Sequence, residues 1–179
     1  VNNSENSENH ETNDISSFIS NNDLYNIPDN DLELEIDGNI CDICYIEKED
    51  LNKEIRALID KEAIRELVNL YCQAADRHDQ ELMRSLYHED AEDDHGSFFR
   101  GKAMEFIDML PEIQSNMMIL HHNVTTHNIK LNGNNAEGET YIIAFHKVKD
   151  EAQGHDVLIG GRYFDKYEKR KGVWKFSKR

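Results

Sequence analysis

Disulfide cross-links, membrane spans and a basic surface are all missing from this 179-residue chain. Three cysteines, Cys41, Cys44 and Cys72, cannot build the framework that staples a small secreted domain. No run approaches the roughly 18 consecutive apolar residues of a membrane-crossing helix, so a soluble protein with no membrane partner is expected. Lys and Arg number 20 against 36 Asp and Glu, a net charge of −16. An acidic surface repels phosphate backbones, which argues against nucleic acid as a partner. The opening V-N-N-S-E-N-S-E-N-H has neither the basic nor the apolar region of a signal peptide, and a cytoplasmic location fits best.

Metal and phosphate patterns are wanting too. Cys41-Asp42-Ile43-Cys44 has C-x-x-C spacing, but no second pair, spaced histidines or thioredoxin-like context accompanies it. It reads as two reduced cysteines in a weakly ordered segment. Asp93-Asp94-His95 offers carboxylate and imidazole together, yet no helical H-x-x-x-H supports it, so the run His88–Gly96 reads as an acidic surface loop with a short strand. Gly160-Gly161 lacks the lysine and following helix of a phosphate loop; within a strand, paired glycines permit sharp bending. No metal and no cofactor are expected.

What is present divides the chain in two. Residues 1–54 carry 15 acidic and 2 basic side chains, whereas 55–179 carry 21 and 18. The acidity is thus a property of the first third. Residues 1–50 read as a mostly disordered tail, since Asn, Ser, Glu and Asp with isolated apolar residues cannot offset ordering entropy. Leu32-Glu33-Leu34-Glu35-Ile36 is an alternation that could form a strand, dock on a partner or remain a linker. A single domain fills residues 51–179.

Within the domain, Ile55, Leu58, Ile59, Ala63, Ile64, Leu67, Val68, Tyr71, Cys72 and Ala75 recur at helical steps, predicting one long amphipathic helix ending near His78. Asp79 is a candidate N-cap for a short second helix. A third spans about Lys102 to Gln114. Strands follow at Met118–Leu131 and Ala136–Val148, separated by Asn132-Gly133-Asn134. A terminal hairpin, Asp156–Arg170 with Val173–Arg179, turns at Lys171-Gly172. Helices first and an antiparallel sheet afterwards predict an α+β fold. A curved sheet with helices against its concave face would leave a pocket at the open end.

Two places could carry chemistry there. Asp76 lies beside the apolar stripe of the long helix, facing a cavity or capping a neighbour. Leu120-His121-His122-Asn123 places two imidazoles in succession, and on a strand only one can look inward. A neutral imidazole oriented by a carboxylate is a competent general base near pH 7. His127 shares the parity of His121.

Several of these segments together resemble the SnoaL-like family of the NTF2-like superfamily. They are Ile64-Arg65-Glu66-Leu67 with Tyr71 and Asp76, Ser85 to Glu92, Leu120-His121-His122 and the terminal hairpin. Within the family the likeness is to hexachlorocyclohexane dehydrochlorinase and, more distantly, to bile-acid 7α-dehydratase and scytalone dehydratase. The resemblance implies a cone-shaped α+β barrel of three N-terminal helices on a strongly curved, mainly antiparallel sheet enclosing an apolar pocket.

It further implies a His–Asp dyad, and spacing back from the Gly133 turn and Gly138 assigns the histidine to His121 and the acid to Asp76. Tyr71, five residues before Asp76, matches a tyrosine of the bile-acid dehydratase that assists departure of a hydroxyl; the dehydrochlorinase carries lysine there. Arg179 matches a pocket arginine that could hold developing negative charge. The bile-acid enzyme's second acid falls near Ala144 and is absent, leaving His146 as a candidate second acid/base. Phe98, Phe99, Met104, Met117 and Phe145 are the expected apolar lining.

The expected activity is that of a cofactor-independent lyase, a dehydratase or dehydrohalogenase acting on a small cyclic apolar substrate. An isomerase or cyclase using the same dyad is the alternative, and a non-catalytic ligand-binding or assembly module is the rival from another class. The resemblance also implies a homo-oligomer packed through the exposed sheet face, a trimer by preference or a dimer.

Overall fold

The computed structural model describes residues 48–149 and 155–179. The expected tail, Cys41, Cys44, the Leu32–Ile36 alternation and the loop at 150–154 lie outside those residues. Helix α1 runs Lys48–Arg77, α2 Gln80–Ser85 and α3 Ala103–Ile113; strands are β1 Tyr87–Asp94, β2 Arg100–Lys102, β3 Met117–Asn132, β4 Asn135–Val148, β5 Val157–Arg170 and β6 Val173–Lys178. They form one six-stranded sheet in the order β2-β1-β6-β5-β4-β3. All pairings are antiparallel except β1 with β6. The result is the expected α+β architecture, with a curved, unclosed sheet.

The stripe on α1 buries Ile64, Leu67, Val68, Tyr71, Cys72, Ala74 and Ala75 against the sheet. Leu58, assigned to the same stripe, is exposed instead. Farther along the helix, Asp60 accepts the Trp174 indole hydrogen at 2.8 Å and lies 3.1 Å from Lys169 Nζ, fastening α1 to the β5–β6 hairpin. That hairpin turns through Lys171 and Gly172, both at positive φ, as a two-residue loop requires.

Helix α1 closes with His78 at φ 56°, its N–H bonded to Ala75 O (3.3 Å) and the Asp79 N–H to Ala74 O (2.9 Å). This double bond with a left-handed residue just past the end is the Schellman arrangement. Asp79 then caps α2 as expected, accepting from Leu82 N at 2.9 Å. Two linked caps therefore fix how the end of α1 is aimed.

Helix α3 contains Pro111, which cannot donate to the Ile107 carbonyl one turn back. The Gln80 side-chain amide donates to that oxygen instead, at 2.8 Å. Gln114 Nε2 reaches Ala75 O at 3.2 Å, so α3 also braces the end of α1.

The region expected to be an acidic loop is mostly strand β1. Glu92 and Asp94 face solvent while Ala91 and Asp93 face inward, so the period is that of a strand. Polarity disguised it. Asp93 is buried, with the Tyr87 hydroxyl donating to Oδ2 at 2.9 Å.

Candidate active site

Asp76 stands in the last turn of α1 and meets β3, one of the two edge strands of the sheet. Its partner there is His122. The imidazole Nδ1 lies 2.6 Å from Asp76 Oδ1, and the His122 main-chain N–H lies 3.1 Å from both carboxylate oxygens. An edge strand presents unpaired N–H groups, so the carboxylate satisfies one and fixes the ring of the same residue. A carboxylate only accepts, which puts the ring hydrogen on Nδ1 and leaves the Nε2 lone pair free.

His121, assigned to this place from the sequence, faces the other way and is exposed. The reason is a β-bulge. Val124 pairs with Ile142 and Thr126 with Tyr141, so Thr125 is an extra residue on β3. Beyond the bulge the partly buried positions are His127, Ile129 and Leu131; before it they are Val124, His122 and Leu120. Counting back from the Gly133 turn without the bulge selects the wrong histidine. His127 consequently shares a face with His122, not with His121.

His146 joins the pair. On β4 it stands opposite Leu120, diagonal to His122 on the same face, and the two rings are 5.4 Å apart. Burial, reinforced by the nearby His122 ring, holds the His146 pKa below the usual histidine range. Its Nε2 is buried with no hydrogen-bond partner among the described residues. Beside His122 the same face carries Ala144, with Ile142 and Gly161 on the adjoining rungs. These side chains are small or apolar, and the two imidazoles and the Asp76 carboxylate stand beside them.

Tyr71 and Arg179 form a separate cluster. The Tyr71 ring packs edge-on against Tyr87, Tyr163 and Phe176, and the Arg179 guanidinium lies 3.9 Å from its centroid. Arg179 is buried, its Nε and Nη2 donating to Asp165 at 2.8 and 2.7 Å. Burial opposes its charge, but Asp165 more than compensates and holds the guanidinium protonated. Burial likewise raises the Tyr71 hydroxyl far above its ordinary range. The Cys72 thiol is pushed up to about 11 by burial, and it is an inert core residue. The terminal Arg179 is held in place: its N–H bonds Glu92 O at 3.0 Å and its carbonyl accepts from Asp94 N at 2.7 Å.

The expected apolar lining is dispersed. Phe98 is exposed, and Phe145 stands on the outer face between His121 and Leu158. Phe99 packs on Phe106 with ring centroids 5.4 Å apart. Met104 packs at the core margin with its sulfur 3.7 Å from Arg84 Nη1, and Met117 opens β3 opposite Val148. Sequence reasoning passed over Asp165, whose only signal was an acidic residue at an inward position of the hairpin.

The sequence profile of the SnoaL-like domain matches residues 56–179. This chain belongs to that family. No curated protein matches the sequence. Among solved structures, it is similar to a putative scytalone dehydratase from Novosphingobium aromaticivorans, at 24% identity and TM-score 0.63, covering 69% of this chain and 83% of that one. It is also similar to hexachlorocyclohexane dehydrochlorinase LinA-type3 from Novosphingobium barchaimii, at 22% identity and TM-score 0.64, covering 70% and 86%. A conserved protein from Planctomyces limnophilus shares 17% identity at TM-score 0.60, covering 66% and 91%. The SnoaL-like fold is thus common to this chain and all three. No helix among the described residues is long and apolar enough to cross a membrane.

Proposed function

We propose that this SnoaL-like domain is a lyase that withdraws a proton from carbon, with His122 as the base. The 2.6 Å contact from Asp76 to His122 Nδ1 carries the reading, because it selects the tautomer with a basic Nε2. Nε2 takes the proton, the C–H electron pair becomes the new double bond, and the neighbouring carbon releases hydroxide or halide. Asp76 stabilises the imidazolium so formed. A departing hydroxide needs a proton to leave as water. The His122 imidazolium, which has just gained a proton, is the group that supplies it, and His146, neutral and unpartnered beside His122, offers a hydrogen bond to the departing oxygen.

This reading moves leaving-group assistance away from Tyr71 and Arg179, whose ring and guanidinium are engaged in the buried cluster with Asp165. The apolar strip at Ile142, Ala144 and Gly161 supports a small cyclic, largely apolar substrate. Proton abstraction also begins an isomerisation or ring closure, so the same dyad serves an isomerase or cyclase. None of these reactions calls for a metal or cofactor when the substrate C–H is already acidified.

The test is a panel of cyclic alcohols and halides, followed by variants. His122→Ala is expected to cut turnover by about 10²–10⁴-fold, with His121→Ala close to wild type. Unchanged turnover in folded His122→Ala would remove the mechanism and leave a ligand-binding or assembly module.

The outer sheet face supports a homo-oligomer, a trimer by resemblance or a dimer. Ile119, Ile143 and Leu158 are exposed on it, and neighbouring exposed apolar side chains mark a surface of association. Sedimentation of Leu158→Glu checks this: a lower mass than wild type is expected, and an unchanged mass places the contact elsewhere.

A further inference from the structure

A second imidazole stands close to a carboxylate among the described residues, His95 beside Asp93, and it borders a cleft. Strand β5 continues toward Val157 beyond its last pairing with β6, Lys166 with Lys178. Between that stretch and the ends of β1 and β6 lies a cleft of about 330 Å³. Its basic wall is His95, Arg162, Lys178 and Arg179, and its aromatic wall is Tyr163 and Phe164. Asp94 also lines it, already holding Arg100 Nε at 2.9 Å and the Gly96 N–H at 2.8 Å. Three cations, Arg162, Lys178 and Arg179, line it against one carboxylate, Asp94.

The groups are partly preset. His95 Nε2 lies 2.9 Å from the buried Asp93 Oδ1, out of line for a hydrogen bond, and its ring stacks on Phe106 at 4.1 Å. The His95 side chain is 27% exposed. Arg179, bound through Nε and Nη2 to Asp165, keeps Nη1 buried without a partner among the described residues. Arg162 lies 5.3 Å from the centroid of the exposed Phe164 ring, so a planar cation and an aromatic surface stand together. Arg162 pairs with Glu139 and Lys178 with Glu92, both at the surface, where ion pairs exchange at little cost.

We propose that this cleft binds a small aromatic carboxylate, its carboxylate held by Arg162 and Lys178 and its ring laid against Phe164. A guanidinium matches a planar carboxylate with two parallel hydrogen bonds. The aromatic wall gives a ring an apolar contact that an inorganic anion would not use. The volume suits one small ligand. The site is separate from the His122 dyad and does not rest on its chemistry.

Calorimetric titration of the full chain with benzoate tests it, with benzyl alcohol as the uncharged control. Benzoate is expected to bind at least about tenfold more tightly than the alcohol, and to shift the His95 ring resonances. The double variant Arg162→Gln, Lys178→Gln is expected to lose about tenfold or more in benzoate affinity at unchanged melting temperature, while His122→Ala keeps it. Absence of benzoate binding, equal binding of the alcohol, or affinity lost in His122→Ala and kept in the double variant overturns the proposal.

Discussion

Two imidazole–carboxylate contacts, His122 with Asp76 and His95 with Asp93, stand among the described residues, and they are built on opposite plans. Asp76 is partly exposed, sits at a helix end, and grips both the ring and the main chain of His122 on an edge strand. Asp93 is buried inside a strand, and its second oxygen is taken by the Tyr87 hydroxyl before His95 is reached. In the first pair the acid serves the histidine. In the second the acid also serves the core, because without it a buried phenol has no acceptor. Proximity of Asp to His therefore does not define a catalytic dyad; what else the carboxylate must satisfy decides its role.

The sharpest way to break this contrast is by activity. On any substrate found, His122→Ala should lose about 10²–10⁴-fold in turnover, and His95→Ala should lose far less, as read from initial rates. A similar loss in both would place the two histidines in one reaction. Stability should rank the acids the other way. Asp93→Ala leaves the Tyr87 hydroxyl buried and unpaired and should cost about 1–3 kcal/mol in denaturant unfolding, with Asp76→Ala costing less.

A smaller effect sharpens the geometry of the first pair. Asp79→Ala removes the cap on α2 and should cost about 1 kcal/mol. It should also lower turnover more than that loss of stability implies, because the linked caps aim Asp76. Melting temperature against kcat separates the two effects.

The smallest expected effect is in pH. The folded pKa of His146 is depressed by burial and by His122, and that of His127 by burial. Below about pH 6.5 the unfolded chain binds protons that the folded one resists. Their contribution to stability is complete above that pH and is lost as pH falls through the folded values. His146→Gln should flatten the acid limb of a melting-temperature profile; an unaltered limb would assign it to other groups.

Much of this was legible in the sequence wherever one period ran uninterrupted. The helical stripe on α1, the Asp79 cap and the Lys171-Gly172 hairpin each declare themselves through local spacing, and Asp76 follows from its place on that stripe. His122 does not, because a single extra residue at Thr125 inverts the parity of everything before it, and no composition signal marks a bulge. Strand β1 was hidden differently. Its inward Asp93 is a polar residue at a core position, tolerable only through partners far from obvious in the chain. The aromatic enclosure of Tyr71 and Arg179 depends on four elements converging, which no window of sequence contains.

The doubled histidine of β3 stands between two register shifts, one at Met117–Ile119 and one at Val124–Thr126. A half-buried strand that slips by one residue normally exchanges its whole inner face for its outer one. At this point on β3 a slip in one direction replaces imidazole with imidazole, His121 for His122, whereas a slip in the other brings Asn123. A length change that lengthens the Val124–Thr126 bulge would still offer Asp76 a histidine, and one that closes the bulge would offer it an amide.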